Sequence, residues 1–162
     1  MIRALLLLCV LLVSGCASHA PLPAQIPHIK FPVQLHVQRE QAGQREEWLM
    51  TIQKERHGLR FSLMDTLGTP VAGQQLREER WKADKLLPPN YEARELFAAV
   101  LFALTSLEEV RFDYPGVQLR PYGRSLDDRW FIDYASEGFF RISMESGELK
   151  YVVSPLQGKA SK

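Results

Sequence analysis

The stretch PPNYEARELFAAVLFALTSLEEV (88–110) decides the fold. Two prolines end whatever precedes it, and no Gly or Pro occurs from Asn90 to Val110. Asn90 can cap a helix by accepting a first-turn backbone N–H, and Glu92 and Glu95 suit the positive end of a helix dipole. At helical spacing Leu96, Val100, Leu104 and Leu107 share one face, with Phe97 and Leu101 beside them. Ala98, Ala99 and Phe102 carry the apolar surface further around. The spacing predicts a helix over about 91–109 that is apolar on more than one side. Such a helix needs cover on more than one side.

Upstream of it the period is two. Val33, Leu35 and Val37 alternate with Gln34, His36 and Gln38, as expected of a half-buried strand. Gly43 marks a turn; Trp48, Met50 and Ile52 alternate with polar residues as a second strand. Gly58 marks the next turn, and Leu59, Phe61 and Leu63 form a third strand until Gly68 and Pro70 interrupt it. A more polar fourth strand is expected over 71–80, with Glu78-Glu79-Arg80 as its solvated end. Short turns between consecutive strands imply an antiparallel meander. Downstream, Tyr114 to Gly123 reads as loop with a short strand at 117–120. Trp130, Ile132 and Tyr134 alternate as a strand, and Phe140, Ile142 and Met144 form another. A hairpin turn over 145–148 leads to Leu149, Tyr151 and Val153. Residues 33–156 are therefore expected to form one α+β domain, followed by a flexible tail over 157–162.

The N-terminus has a different character. Arg3 precedes the uninterrupted apolar run ALLLLCVLLV (4–13). A run of this length cannot cross a hydrocarbon core that needs about 20 residues, so it reads as the apolar centre of an export signal. Val13-Ser14-Gly15-Cys16 follows, and small residues before a cysteine at this place resemble the lipobox of bacterial lipoproteins. The resemblance implies cleavage after residue 15 and acylation of Cys16, whose several acyl chains make a stable membrane anchor. Ala17 stands where an Asp would resemble an inner-membrane retention signal, which points to the outer membrane with the domain facing the periplasm. Residues 16–32, with Pro21, Pro23, Pro27 and Pro32, read as an extended tether.

Composition limits the function. Loss of residues 1–15 removes Cys9 and Arg3 and leaves 147 of 162 residues, with 19 basic against 19 acidic side chains. No disulfide can form within a chain that keeps Cys16 alone. A balanced charge argues against a nucleic-acid partner. His19 and His28 in the tether, His36 on a polar strand face and His57 in a turn have no metal-ligand spacing. Asp127-Asp128 is a candidate carboxylate pair, but neighbours on a strand or loop point apart, so capping the turn before Trp130 is the simpler role. No nucleophile elbow or phosphate-cradling loop is present. The expectation is a protein without metal or cofactor and not an enzyme, monomeric, with an enzyme acting on an envelope glycan or lipid as the least favoured alternative.

Two stretches carry a closer resemblance: LRFSLMDTLGTPV (59–71) and LLPPNYEARELFAAVLFALTSLEEV (86–110). Together with the lipobox they resemble the small outer-membrane lipoproteins associated with aryl polyene biosynthesis clusters. In element order the chain also resembles the lipoprotein receptor LolB and its periplasmic carrier relative LolA. The resemblance implies a strongly curved antiparallel sheet, an incomplete barrel, with a helical lid over an apolar cavity that takes acyl chains. Trp48, Met50, Phe61, Leu96, Ala99, Val100, Phe102 and Leu104 would line that cavity, and the cargo would be an acylated or polyene-type lipid. The other reading has the helix as plain core in a structural accessory that docks onto an envelope machine. LolB-like receptors present an apolar residue on a loop between early strands. Leu67 occupies that place here, although so short a loop favours tucking it into the barrel rim.

Replacing Cys16 with Ser is expected to abolish acylation and release the protein from the outer-membrane fraction. Intact-mass measurement and fractionation check this.

Overall fold

The computed structural model describes residues 19–84, 87–144 and 147–156. Cys16 and the export signal, and the tail over 157–162, lie outside the described residues. Among the described residues there are ten strands and two helices: β1 (Val33–Gln41), β2 (Gln44–Glu55), β3 (Gly58–Asp65), β4 (Pro70–Arg77), β5 (Arg80–Ala83), α1 (Tyr91–Leu104), α2 (Leu107–Asp113), β6 (Val117–Arg120), β7 (Gly123–Leu126), β8 (Trp130–Ser136), β9 (Phe139–Met144) and β10 (Leu149–Pro155).

The strands form one curved antiparallel sheet in the order β5-β4-β3-β2-β1-β10-β9-β8-β7-β6, not closed into a barrel. It consists of two meanders sewn together where β1 pairs with β10, with Val37 opposite Val153. Period-two alternation sends one side chain in two to the concave face. Val37 and Trp48 are cross-strand neighbours there, as are Ile52 and Phe61, and Ile132 and Ile142. Edge strands β5 and β6 are four residues long, which limits the unpaired backbone they offer to another chain.

This topology puts the helices in the groove. The chain leaves the sheet at one edge, β5, and rejoins it at the other, β6, so the connection must cross the concave face. α1 fills that face, and every residue from Leu96 to Ala103 is buried. Phe97 stacks on Phe61 of β3 at 5.2 Å, while Phe102 meets Trp130 of β8 at 5.7 Å. One helix thus touches strands from both halves of the sheet.

The helix ends are capped from within the fold. Asn90 Oδ1 accepts from Ala93 N at 2.9 Å, and Gln74 Nε2 of β4 donates to Asn90 O at 2.7 Å. The last carbonyls of a helix have no partner inside it. Here Leu101 O accepts from Thr105, Arg124 donates to Phe102 O and Thr105 O, and the Tyr134 hydroxyl donates to Ala103 O. Arg124 is buried, lies over the rings of Phe102 and Tyr134, and is pushed down from its ordinary pKa by desolvation.

Three expectations need correction. The helix expected over about 91–109 is two helices. Thr105 adopts an extended ψ of 136° and its hydroxyl turns back on Leu101 O, then Ser106 caps α2 by accepting from Glu109 N. The Ser-x-x-Glu spacing of a capping box was present in the apolar run, at Ser106 and Glu109. The strand expected over 71–80 is the β4–β5 hairpin. Glu78 and Glu79 both take positive φ, 52° and 57°, so they form its two-residue turn, not a strand end. Between Tyr114 and Gly123 the short strand expected at 117–120 forms as β6, and the third correction is that Gly123, read as loop, opens a further strand, β7.

The segment over 19–32 lies against the domain. Ala20 belongs to the core, Pro23 and Pro27 are buried, and Leu22, Ile29 and Phe31 pack on it. Ala24 N donates to Asp113 O at 3.0 Å, and His28 bonds Glu109 through both its backbone N–H and its ring. Proline-rich composition goes with a segment that has neither helix nor strand over 19–32. It does not give the free spacer expected from it, because the apolar residues between the prolines find a surface to cover.

Close approach constrains the strands as well. At Gly58, with φ +153°, a Cβ would stand 1.9 Å from Leu76 O of β4, so no side chain fits where β3 begins. In the core, Ala99 is fully buried, and Ala99→Trp is expected to overpack it and cost about 1–3 kcal/mol. Chemical denaturation of the parent and variant measures the difference.

Candidate functional site

Where α1 enters the groove, its first turns do not fill the mouth. Two clefts flank them and share Glu92. The larger, about 510 Å³, is lined by Tyr91, Glu92, Glu95, Asp128, Arg129, Met144 and Leu149. The smaller, about 170 Å³, includes Arg39, Trp48, Leu63, Val71 and Asn90. The larger cleft has an apolar floor, Met144 and Leu149, and a rim of charged residues topped by the exposed ring of Tyr91. An apolar floor under a charged rim matches the two ends of an amphiphile.

The rim charges are tied to each other. Arg39 of β1 grips Glu92 with two donors, Nε to Oε1 at 2.6 Å and Nη2 to Oε2 at 3.2 Å. The Tyr151 hydroxyl of β10 donates to Glu92 Oε1 at 2.8 Å. Glu95, one turn on, receives Arg129 Nε and Nη2 and the indole N–H of Trp130, the last at 2.7 Å. Of the three carboxylates that line the larger cleft, Glu92 and Glu95 are thus occupied as acceptors, and they fasten the start of α1 to both halves of the sheet. Burial works to raise the pKa of Glu92, but the hydrogen bonds from Arg39 and Tyr151 and the Arg39 charge bring it below its ordinary value. Desolvation pushes Tyr151 up, and its bond to Glu92 adds to the shift. Among the described residues no group of three or more His, Cys, Asp or Glu side chains could hold a metal ion.

The residues expected to line a cavity fall mostly elsewhere. Met50, Phe61, Leu96, Ala99, Val100 and Phe102 are fully or almost fully buried in the common core, packed between helix and sheet. Leu104 is partly buried at the end of α1. Trp48 alone of this set lines a cleft, the smaller one. The structure thus assembles them around α1, but as contacts of the helix with the sheet. Their apolarity signalled burial; it could not signal whether helix or ligand does the burying.

Leu67 is not tucked into the rim. It is 90 % exposed at the tip of the β3–β4 turn. Asp65 builds that turn: its carboxylate accepts from Leu67 N at 2.9 Å and Thr69 N at 2.7 Å. These bonds, Thr69 foremost, hold the Asp65 pKa below its ordinary value. The ring of bonds points residue 67 away from the sheet, an effect of Asp-x-x-x-Thr turn chemistry that the shortness of the loop concealed. Asp127, with φ 47°, sits in the β7–β8 turn against Gly116, in keeping with a turn role.

Sequence reasoning missed Arg39, Arg129, Met144 and Leu149 as parts of one site. Arg39 continues the inward face of β1 after Leu35 and Val37, where a charged residue gives no pattern signal, and its partner Glu92 is 53 positions away. In comparisons with known proteins, no family model matches this chain and no curated protein matches it.

Because the Glu92 pKa is lowered on folding, its tie contributes above the ordinary value of 4.5 and is lost as pH falls below it. Glu92 is 43 % exposed, so screening limits the contribution to about 0.2–1 kcal/mol. Glu92→Gln is expected to melt slightly lower at pH 7 and to draw closer to the parent as pH falls below 4.5, measured by circular dichroism across that range.

Proposed function

We propose that this chain is a lipid-anchored module of the outer membrane whose domain, in the periplasm, binds or hands on a hydrophobic or amphiphilic molecule of acylated or polyene type. One observation carries the proposal: an apolar helix inserted into an unclosed sheet, with an apolar-floored, charge-rimmed cleft of about 510 Å³ left at its entrance. The likeness to LolB and LolA, and to the lipoproteins of aryl polyene clusters, belongs to the same proposal. Acylation of Cys16 supplies the anchor, and no chemical step is required of the domain.

Physical reasoning supports the cleft as the point of entry. An acyl chain over Met144 and Leu149 would leave water, at about 0.8 kcal/mol per buried methylene. A polar head would remain at the rim among Glu92, Glu95 and Arg129. A longer chain would have to displace part of α1. The ties that would yield are partly solvated ion pairs, each worth little by itself, so such a displacement meets its smallest resistance at this end. Leu67, held outward by Asp65, is the apolar side chain this reading assigns to contact with the membrane or a carrier during delivery.

A second reading has the domain as a structural accessory for an envelope partner, and the stacking of Phe97 on Phe61 inside a filled groove favours it. The two readings separate in one experiment. The chain from Ala17 onward, exported by an ordinary secretory signal and purified without detergent, is examined by native mass spectrometry and by binding of a fluorescent fatty acid. Under the binding proposal the protein retains a lipid or takes up the probe, and Met144→Trp weakens uptake several-fold while the domain stays folded. No retained molecule and no probe uptake by the parent would sink the binding proposal and leave the accessory reading.

A further inference from the structure

We infer that the strapped pair formed by residues 24–28 and α2 is a membrane-contacting face, which seats the domain directly on the phospholipid surface of the leaflet that holds its anchor. The inference rests on the proposed acylation of Cys16 and adds an orientation to it.

The N-terminal segment runs antiparallel to α2. His28 is bonded to Glu109 near the start of the helix, and Ala24 to Asp113 at its end. Between those two fastenings stands Ile26, 40 % exposed. On α2 itself, Val110 and Asp113 turn inward, and Leu107, Glu108, Arg111 and Phe112 turn out. Leu107 is 64 % exposed and Phe112 82 %. Two adjoining elements therefore present three large apolar side chains to the outside, beside Arg111, Glu108 and the His28–Glu109 pair.

Chain length says what covers them. Ala20 is already in the core, and Cys16 stands four positions before it. Four fully extended residues reach no more than about 14 Å. An acylated Cys16 would therefore hold the domain against the bilayer, with no spacer to lift it away. The segment it holds is the one laid along α2. A phenylalanine and a leucine with an arginine alongside suit the headgroup–acyl boundary, where apolar side chains enter and the arginine stays at the polar level. With 19 basic and 19 acidic residues after loss of the export signal, the mature chain has no net charge to draw it to lipid, so the contact has to be apolar.

Site-directed spin labelling of the full lipidated protein tests this. After maturation and acylation of Cys16, a cysteine introduced at residue 112 or residue 44 offers the one free thiol. Phe112→Cys and Gln44→Cys proteins, the latter labelled at the start of β2, are reconstituted in phosphatidylethanolamine–phosphatidylglycerol vesicles. Collision with oxygen, which prefers lipid, is compared with collision with a water-soluble nickel complex. The expected result is an oxygen-to-nickel ratio several-fold higher at residue 112 than at residue 44. Acylated protein that sediments with the vesicles but shows two equal, water-like ratios overturns the inference and leaves the anchor standing. Protein that carries no acyl mass and does not sediment overturns the anchor and the inference together. If residue 112 is shielded from both reagents, a protein surface covers α2, and the membrane assignment is wrong.

Discussion

The fold depends on the burial of α1 along the concave face of the sheet. An antiparallel sheet with alternating side chains has one apolar face, and ten strands curved without closure leave that face as a groove. Something apolar on all sides must occupy it. The run from Leu96 to Ala103, with no residue exposed, meets that demand, and it could not remain in water as an isolated helix. Each element removes the other's unfavourable surface, so sheet and helix are stable only together. The order of the chain allows this because the helical connection joins the two outermost strands and has no other path than across the groove.

Placing a helix inside a sheet creates polar debts at both of its ends, and the two ends are met differently. At the inner end the partners are buried: Arg124, Tyr134 and Thr105 supply donors to the terminal carbonyls. Burial depresses the pKa of Arg124 and raises that of Tyr134 to about 12, so at neutral pH these groups serve as a cation and a neutral donor. At the outer end the fastenings are ion pairs open to solvent, Arg39 with Glu92 and Arg129 with Glu95. The helix is thus held firmly where it is deepest and more weakly where the cleft lies. That asymmetry is why the mouth, and not the packed interior, is the place to look for a ligand.

The N-terminal segment changes how the domain relates to its proposed anchor. Over 19–32 the chain has neither helix nor strand, and Ala20, Leu22, Ile29 and Phe31 bind it to the core. It acts as an additional layer over α2. A lipid at Cys16 would then be attached to the body of the domain, and the orientation of cleft and Leu67 relative to the bilayer would follow from the fold.

Local pattern in the sequence was enough for most of the sheet and for the main helix. Strands β1, β2 and β3, and β8, β9 and β10, were legible because apolar side chains recur at every second position, even with apolar Leu49, Phe131 and Val152 on the other face. The helix start at Asn90 was legible because the cap, the acids and the apolar spacing agree. The lipobox reading and the balanced charge also come from sequence alone. Tertiary structure decided the rest. It split the helix at Thr105, where two hydroxyl side chains compete with the helical bonding, and turned the chain at Glu78-Glu79, residues with no turn preference of their own. It brought Arg39 and Glu92 together across 53 positions, turned Leu67 outward through Asp65, and laid the proline segment on α2. Periodicity records which side chains avoid water, because that preference belongs to each residue and its near neighbours. Which surface removes them from water depends on contacts between distant segments, and those exist only once the sheet has curved around the helix.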